Sequence, residues 1–159
     1  MEDYYGFYTV RGYELLEHDK KLLTPSMEDY LEMIYRNSIN ENSVKINSLS
    51  KLLNVKAPSA TRMVQKLKES GLLKYEKYGE IQLTEKGKEI GRFLLERHNV
   101  IEKFLINIGV KDNILIETEL IEHVISIKTL EIFNLFNLFL AENPCFKKLY
   151  IDFISSHRF

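Results

Sequence analysis

Apolar residues recur at intervals of three and four along most of the chain and alternate with polar ones only between Leu73 and Leu83. The first pattern is that of amphipathic helices, the second that of a short hairpin. Thr24-Pro25 supplies an N-cap followed by proline at the first helical position. The stripe Met27, Leu31, Ile34, Tyr35 then predicts a helix, ended by the polar run from Asn37 to Ser43. Ser48 can cap a short helix carrying Leu49, Leu52 and Leu53, and after a turn at Asn54-Val55-Lys56 a second helix is expected from Pro58 to about Ser70, stopped by Gly71. Ala57 stands where a capping side chain would be expected there. Leu73, Tyr75, Ile81 and Leu83 flank Tyr78-Gly79 as the strands of the hairpin. Thr84 then opens a long helix whose stripe (Ile90, Phe93, Leu94, Ile101, Phe104, Leu105, Ile108) holds the 3.6-residue period as far as Gly109. Asp112 or Asn113 opens a helix over about 114–125, and Ser126 or Thr129 opens the last strong one, which ends before Pro144.

Helix, tight turn, helix and hairpin, in about fifty residues, is the order of a winged helix-turn-helix, whose second helix enters the major groove of DNA. At 100° per residue, Ala60, Met63, Val64 and Leu67 fall on one side of that helix and can pack against Leu49 and Leu52. Pro58, Ser59, Arg62, Gln65 and Lys66 fall on the other side, with Thr61 beside them. Arg62 and Gln65 can make bidentate contacts with base edges, and Ser59 and Lys66 can bond phosphates. Lys74, Lys77 and Tyr78 on the hairpin would meet the neighbouring DNA backbone. The expected architecture is mainly α: an aromatic-rich arm over 1–22, expected to pack across a partner chain or, as the lesser alternative, to carry Arg11 into a DNA groove, a winged helix-turn-helix DNA-binding domain over 23–92, and a helical metal-binding and dimerisation domain over 93–159.

Charge sharpens this division. The formal net charge of 159 residues is −1, but from Val44 to Arg92 there are eleven Lys/Arg against five Glu, a net +6, and the remainder is −7. A basic block beside an acidic one points to an anionic partner for the first and another use for the carboxylates of the second. A hydrophobic fraction of 45% is enough for a core and argues against disorder. Cys145, the one cysteine, cannot close an intramolecular disulfide, and without a charged and apolar leader the chain is expected to be a reduced, cytoplasmic protein. The longest uncharged apolar run, Ile132 to Ala141, is far shorter than the roughly 20 residues that span a bilayer, so no membrane partner is expected.

Asp29 and Glu32 are spaced i, i+3 and project from one helix face. Glu119, Glu122 and His123 fall within a sector of about 100° on a later helix. His98 continues the apolar stripe of the long helix, so its ring is expected to point inward. Carboxylates in such places are costly to bury unless a cation neutralises them. Four carboxylates and two imidazoles, with no thiolate, suit Mn²⁺ or Fe²⁺, and Zn²⁺ or Co²⁺ can occupy the same set. The ligands could also serve two ions. The apolar faces around Ile101–Ile108 and Ile132–Leu140 exceed what a small chain needs to cover, and one is assigned to a homodimer interface.

The segments Leu23 to Glu32, Thr61 to Leu67, Tyr75 to Gly79, Leu83 to Lys88, Arg97-His98 and Ile121-Glu122-His123 resemble the diphtheria-toxin-repressor family, most closely its manganese-transport-regulator branch. The resemblance covers about residues 23 to 140. It implies a homodimeric, metal-activated transcriptional repressor of metal-uptake genes, with no enzymatic activity. It carries the metal ligands onto Asp29, Glu32, His98, Glu119, Glu122 and His123. Two other readings compete. A winged-helix regulator could sense an organic ligand, with the acidic cluster structural. A carboxylate-bridged dimetal enzyme would explain the acidic residues but not the basic helix, and it usually carries two Glu-x-x-His motifs, whereas Glu119 and His123 are four apart.

Overall fold

A computed structural model describes residues 23–39, 44–75 and 79–157. The expected arm over 1–22 and the hairpin-tip residues Lys77 and Tyr78 lie outside the described residues. The described residues form α1 (Pro25–Ser38), α2 (Ile46–Leu52), α3 (Ala57–Glu69), β1 (Leu73–Tyr75), β2 (Ile81–Leu83), α4 (Glu85–Asn107), α5 (Ile114–Glu122), α6 (Ile127–Glu142) and α7 (Pro144–Ser156). The chain divides into two compact units between Leu95 and Glu96, inside α4. Among the described residues helices dominate, with one small hairpin, as the periodicity predicts. No helix among the described residues is long and apolar enough to cross a membrane.

In the first unit α1, α2, α3 and the hairpin pack on one another around Leu31, Ile34, Leu49, Val64, Leu67 and Leu72, all fully buried. Thr24 caps α1 by accepting from the Met27 N–H, with Pro25 at the start of the helix. Burial pushes the Tyr30 phenol above its ordinary range, so it remains neutral in this core. The strands pair antiparallel, Leu73 with Leu83 and Tyr75 with Ile81. Ile81 also exchanges two backbone hydrogen bonds with Val44, at 2.8 and 3.1 Å. That long-range bridge precedes α2, which starts at Ile46 after an uncapped Lys45, so Ser48 lies inside the helix rather than capping it. Leu49 is buried as expected, but Leu52 is half exposed and does not complete the inner face.

The turn into α3 holds Asn54 at φ 51°. The helix begins at Ala57, one residue earlier than expected; Lys56 occupies the N-cap with no side-chain bond, so Ala57 is not the capping position. Gly71, at φ 73°, ends it in the left-handed conformation that glycine adopts without steric cost. Thr84 then caps α4, its Oγ1 accepting from the Gly87 N–H at 3.0 Å while its hydroxyl faces the Gly71 and Leu72 carbonyls. Helix α4 passes close to its neighbours: a Cβ at Gly87 would collide with the Leu72 carbonyl, and one at Gly91 would lie 2.6 Å from Tyr35 Cβ.

In the second unit Asn113, at φ 55°, precedes α5 without a side-chain cap. Helix α5 ends at Glu122, three residues short of the expected limit, where the Val124 and Ile125 N–H groups turn back onto the Ile121 carbonyl. Ser126 caps α6 through the Thr129 N–H. Asn107 and Asn137 form a buried pair between α4 and α6: Asn107 Nδ2 donates to Asn137 Oδ1 at 2.9 Å, and Asn137 Nδ2 donates to the Val100 carbonyl at 3.0 Å. Phe104 stacks on Phe133, with ring centroids 3.7 Å apart. Helix α7 was not expected from the sequence; Pro144 starts it rather than only closing α6.

Candidate nucleic-acid interface and metal centre

The second helix of the helix-turn-helix, α3, separates its two faces as its sequence requires. Ala60, Val64 and Leu67 are fully buried and Met63 is half-buried. Pro58, Ser59, Arg62 and Lys66 are exposed and Gln65 is half-buried. Thr61 is half-buried and its hydroxyl donates to the Ala57 carbonyl at 2.9 Å, so it is engaged with the helix backbone. Lys74 stands exposed on β1. Lys68, by contrast, is tied down: its Nζ donates to the Tyr75 carbonyl at 2.7 Å and fixes the helix to the hairpin strand. A cleft of about 500 Å³ lies between the starts of α2 and α3 and the hairpin, with Lys45, Asn47, Thr61 and Tyr75 on its walls. Lys45 and Asn47 were not expected to belong to this face, because the bridge that brings Val44 to Ile81 is not visible in local pattern.

The expected metal ligands fall into two sets, one in each unit. On α1, Asp29 is half-buried and Glu32 is 7% exposed. Arg36, one turn later, donates through Nη2 to Glu32 Oε1 at 2.6 Å. In the second unit α4 presents His98, 6% exposed, and α5 presents Glu122, 2% exposed, at its last residue. His98 Nδ1 lies 3.0 Å from Glu122 Oε2. His123, in the C-cap position with helical backbone, places Nε2 3.8 Å from Glu122 Oε1. Glu119 is exposed. The structure thus brings His98, Glu122 and His123 together. The inward orientation expected of His98 is observed.

These donors fit a divalent cation. A carboxylate this deeply buried is costly unless balanced by positive charge, and two imidazoles stand beside it. His98 Nδ1 faces the Glu122 carboxylate at hydrogen-bond distance, and its imidazole adds a nitrogen donor to the set. Oxygen and nitrogen donors without sulfur suit Mn²⁺, Fe²⁺, Co²⁺ or Zn²⁺.

Comparison with known proteins agrees with both halves of this description. Residues 22–81 match the N-terminal DNA-binding domain of the iron-dependent repressors, and residues 84–149 match their metal-binding and dimerisation domain. The chain is 42% identical over 128 residues to the HTH-type transcriptional regulator MntR of Oceanobacillus iheyensis, covering 79% of this chain and 87% of the relative. It is 43% identical over 106 residues to the MntR of Bacillus subtilis, covering 66% and 75%. Among solved structures, the manganese regulator SloR superposes with a TM-score of 0.63 at 33% identity over 72% of this chain. A manganese-dependent transcriptional repressor in complex with manganese superposes with 0.62 at 27% identity over 71%. The chain spans about half the length of these two structures, 54% and 53%. With a DNA-binding domain followed by a metal-binding and dimerisation domain, this chain belongs to the iron-dependent repressor family and is a transcriptional regulator, not an enzyme.

Proposed function

We propose that this metal-dependent DNA-binding repressor responds to manganese, represses metal-uptake genes, binds operator DNA as a homodimer and acts in the cytoplasm. The observation that carries the metal reading is the buried His98–Glu122 pair within the domain matched as metal-binding. Asp29 and Glu32 on α1, with His98, Glu119, Glu122 and His123 after the reader, are the groups that would hold the cation. The relatives named for manganese favour Mn²⁺ over the other ions that this donor set accepts. A bound cation supplies the positive charge that neutralises these carboxylates.

The ligands precede and follow α3 in the chain, so the position of each reader in a symmetric dimer is coupled to metal occupancy. Arg62 and Gln65 read base edges, Ser59 and Lys66 bond phosphates, Pro58 and Thr61 set the start of the helix against the duplex, and Lys74, Lys77 and Tyr78 meet the adjacent backbone. Both readers engage when the half-sites are one helical turn apart, roughly 34 Å. Exposed apolar residues on α5 (Leu115, Leu120), in the turn after it (Val124) and on α6 (Ile132, Leu135, Phe139) support a dimer face in this unit. By linkage, operator DNA tightens metal binding by the same factor that metal tightens DNA binding. The test is Asp29→Ala and Glu122→Ala, with elemental analysis of the purified protein and operator binding in Mn²⁺. Both variants are expected to lose metal and metal-dependent binding, and variants that keep both would refute the assignment.

A further inference from the structure

Arg36 donates to Glu32 Oε1 at 2.6 Å, short even for a charge-assisted hydrogen bond. The two ends of this pair sit in different surroundings: the Glu32 side chain is 10% exposed and that of Arg36 is 43% exposed. The carboxylate is deep enough to require a counter-charge. The guanidinium reaches it from one turn further along α1, on a side chain that is partly open to solvent. We infer that Arg36 is a resident counter-ion of Glu32 and sets the metal affinity of the site, by holding a carboxylate oxygen that a divalent cation would otherwise take.

The chemistry makes this a competition. Arginine stays charged at every working pH and has no acceptor, so it cannot yield the oxygen by losing a proton or turn into a ligand itself. A guanidinium and a divalent cation on one carboxylate repel each other, so loading the site works against the guanidinium held on Oε1. Arg36 has somewhere to go: it lies in the last turn of α1, where the C-terminal carbonyls attract a cation. The pair therefore neutralises Glu32 when metal is scarce and raises the metal concentration at which the site fills.

This inference rests on Glu32 being a ligand, and the experiment separates the two claims. Manganese chloride is titrated calorimetrically at pH 8 into the full chain and into Arg36→Met, Arg36→Lys and Glu32→Gln, and the metal-free proteins are melted in parallel. Arg36→Met keeps the stem and removes the charge; it is expected to bind Mn²⁺ about tenfold more tightly and, metal-free, to melt about 2–4 °C lower. Arg36→Lys, which keeps the charge, is expected to stay closer to the parent than Arg36→Met does. Unchanged or weaker Mn²⁺ binding by Arg36→Met, with Glu32→Gln losing it, overturns the counter-ion role and leaves the ligand assignment standing. Binding unaffected by Glu32→Gln overturns both.

Discussion

In the N-terminal unit the charged side chains of α3 face solvent above a core of leucine, isoleucine and valine, whereas in the C-terminal unit a carboxylate and an imidazole are buried and Leu120, Val124 and Ile132 are exposed. The first arrangement suits a protein surface, with the basic side chains of α3 already open to an anionic partner. The second leaves anionic charge inside and apolar area outside, which is costly for an isolated chain and is relieved by a cation and by a second subunit. Substitutions should therefore split by role: those in the reader change DNA affinity alone, and those in the metal set change metal affinity and DNA affinity together.

The sharpest break in that comparison comes from Glu122→Gln, which keeps the shape and removes the charge. Even partners that only orient a ligand cost about 10–100-fold in metal affinity when removed, so a ligand itself should cost at least about 100-fold. Calorimetry would read the metal loss, and gel-shift titration in Mn²⁺ should find operator affinity at its chelated level. Arg62→Ala comes next. It should lower operator affinity by about 10–100-fold, the range of one bidentate base contact, while Mn²⁺ binding without DNA stays at the parent value. Loss of metal binding in that variant would break the division between reader and metal set.

Gly91→Ala tests the packing under the reader. Its Cβ would sit 2.6 Å from Tyr35 Cβ, so α1 and α4 must separate, at a cost of about 1–3 kcal/mol, read as a lower melting temperature in metal-free protein. The smallest effect is expected at Glu85. Its hydrogen bond from Lys88, at 2.8 Å, holds the carboxyl below its ordinary range. Stability from this pair is present above the ordinary carboxylate range and lost as pH falls through the lowered value. Both groups are exposed, so Glu85→Gln should shift the neutral-pH melting curve barely at all, and the difference should vanish in acid.

The legible parts of the fold were those fixed within a few residues. Thr24-Pro25 capped α1 as its chemistry dictates, the 3.6-residue stripe located α4, and the alternation of Leu73 to Leu83 located the hairpin. Where a distant contact decides, local pattern misled. The Val44–Ile81 bridge sets the start of α2 ahead of Ser48, and a proline can open a helix as well as close one, which hid α7. The candidate site divides in the same way. The i, i+3 carboxylates of α1 and the inward histidine of α4 were visible as spacings, but the contact of His98 with Glu122, 24 residues apart, exists only in the folded unit. Arg36 was within reach of sequence reasoning, since it stands four residues after Glu32, the spacing at which a helix pairs opposite charges.

The most direct test of metal-dependent repression is operator DNA affinity measured at fixed salt, first with a chelator and then along a titration of Mn²⁺, since salt alone changes such affinities by orders of magnitude. Coupling of this kind is typically about 1–3 kcal/mol, so affinity is expected to rise about 5- to 150-fold as the site fills, and operator DNA should tighten Mn²⁺ binding by the same factor. Operator affinity that is equal in chelator and in saturating Mn²⁺ would contradict the coupling of reader to metal.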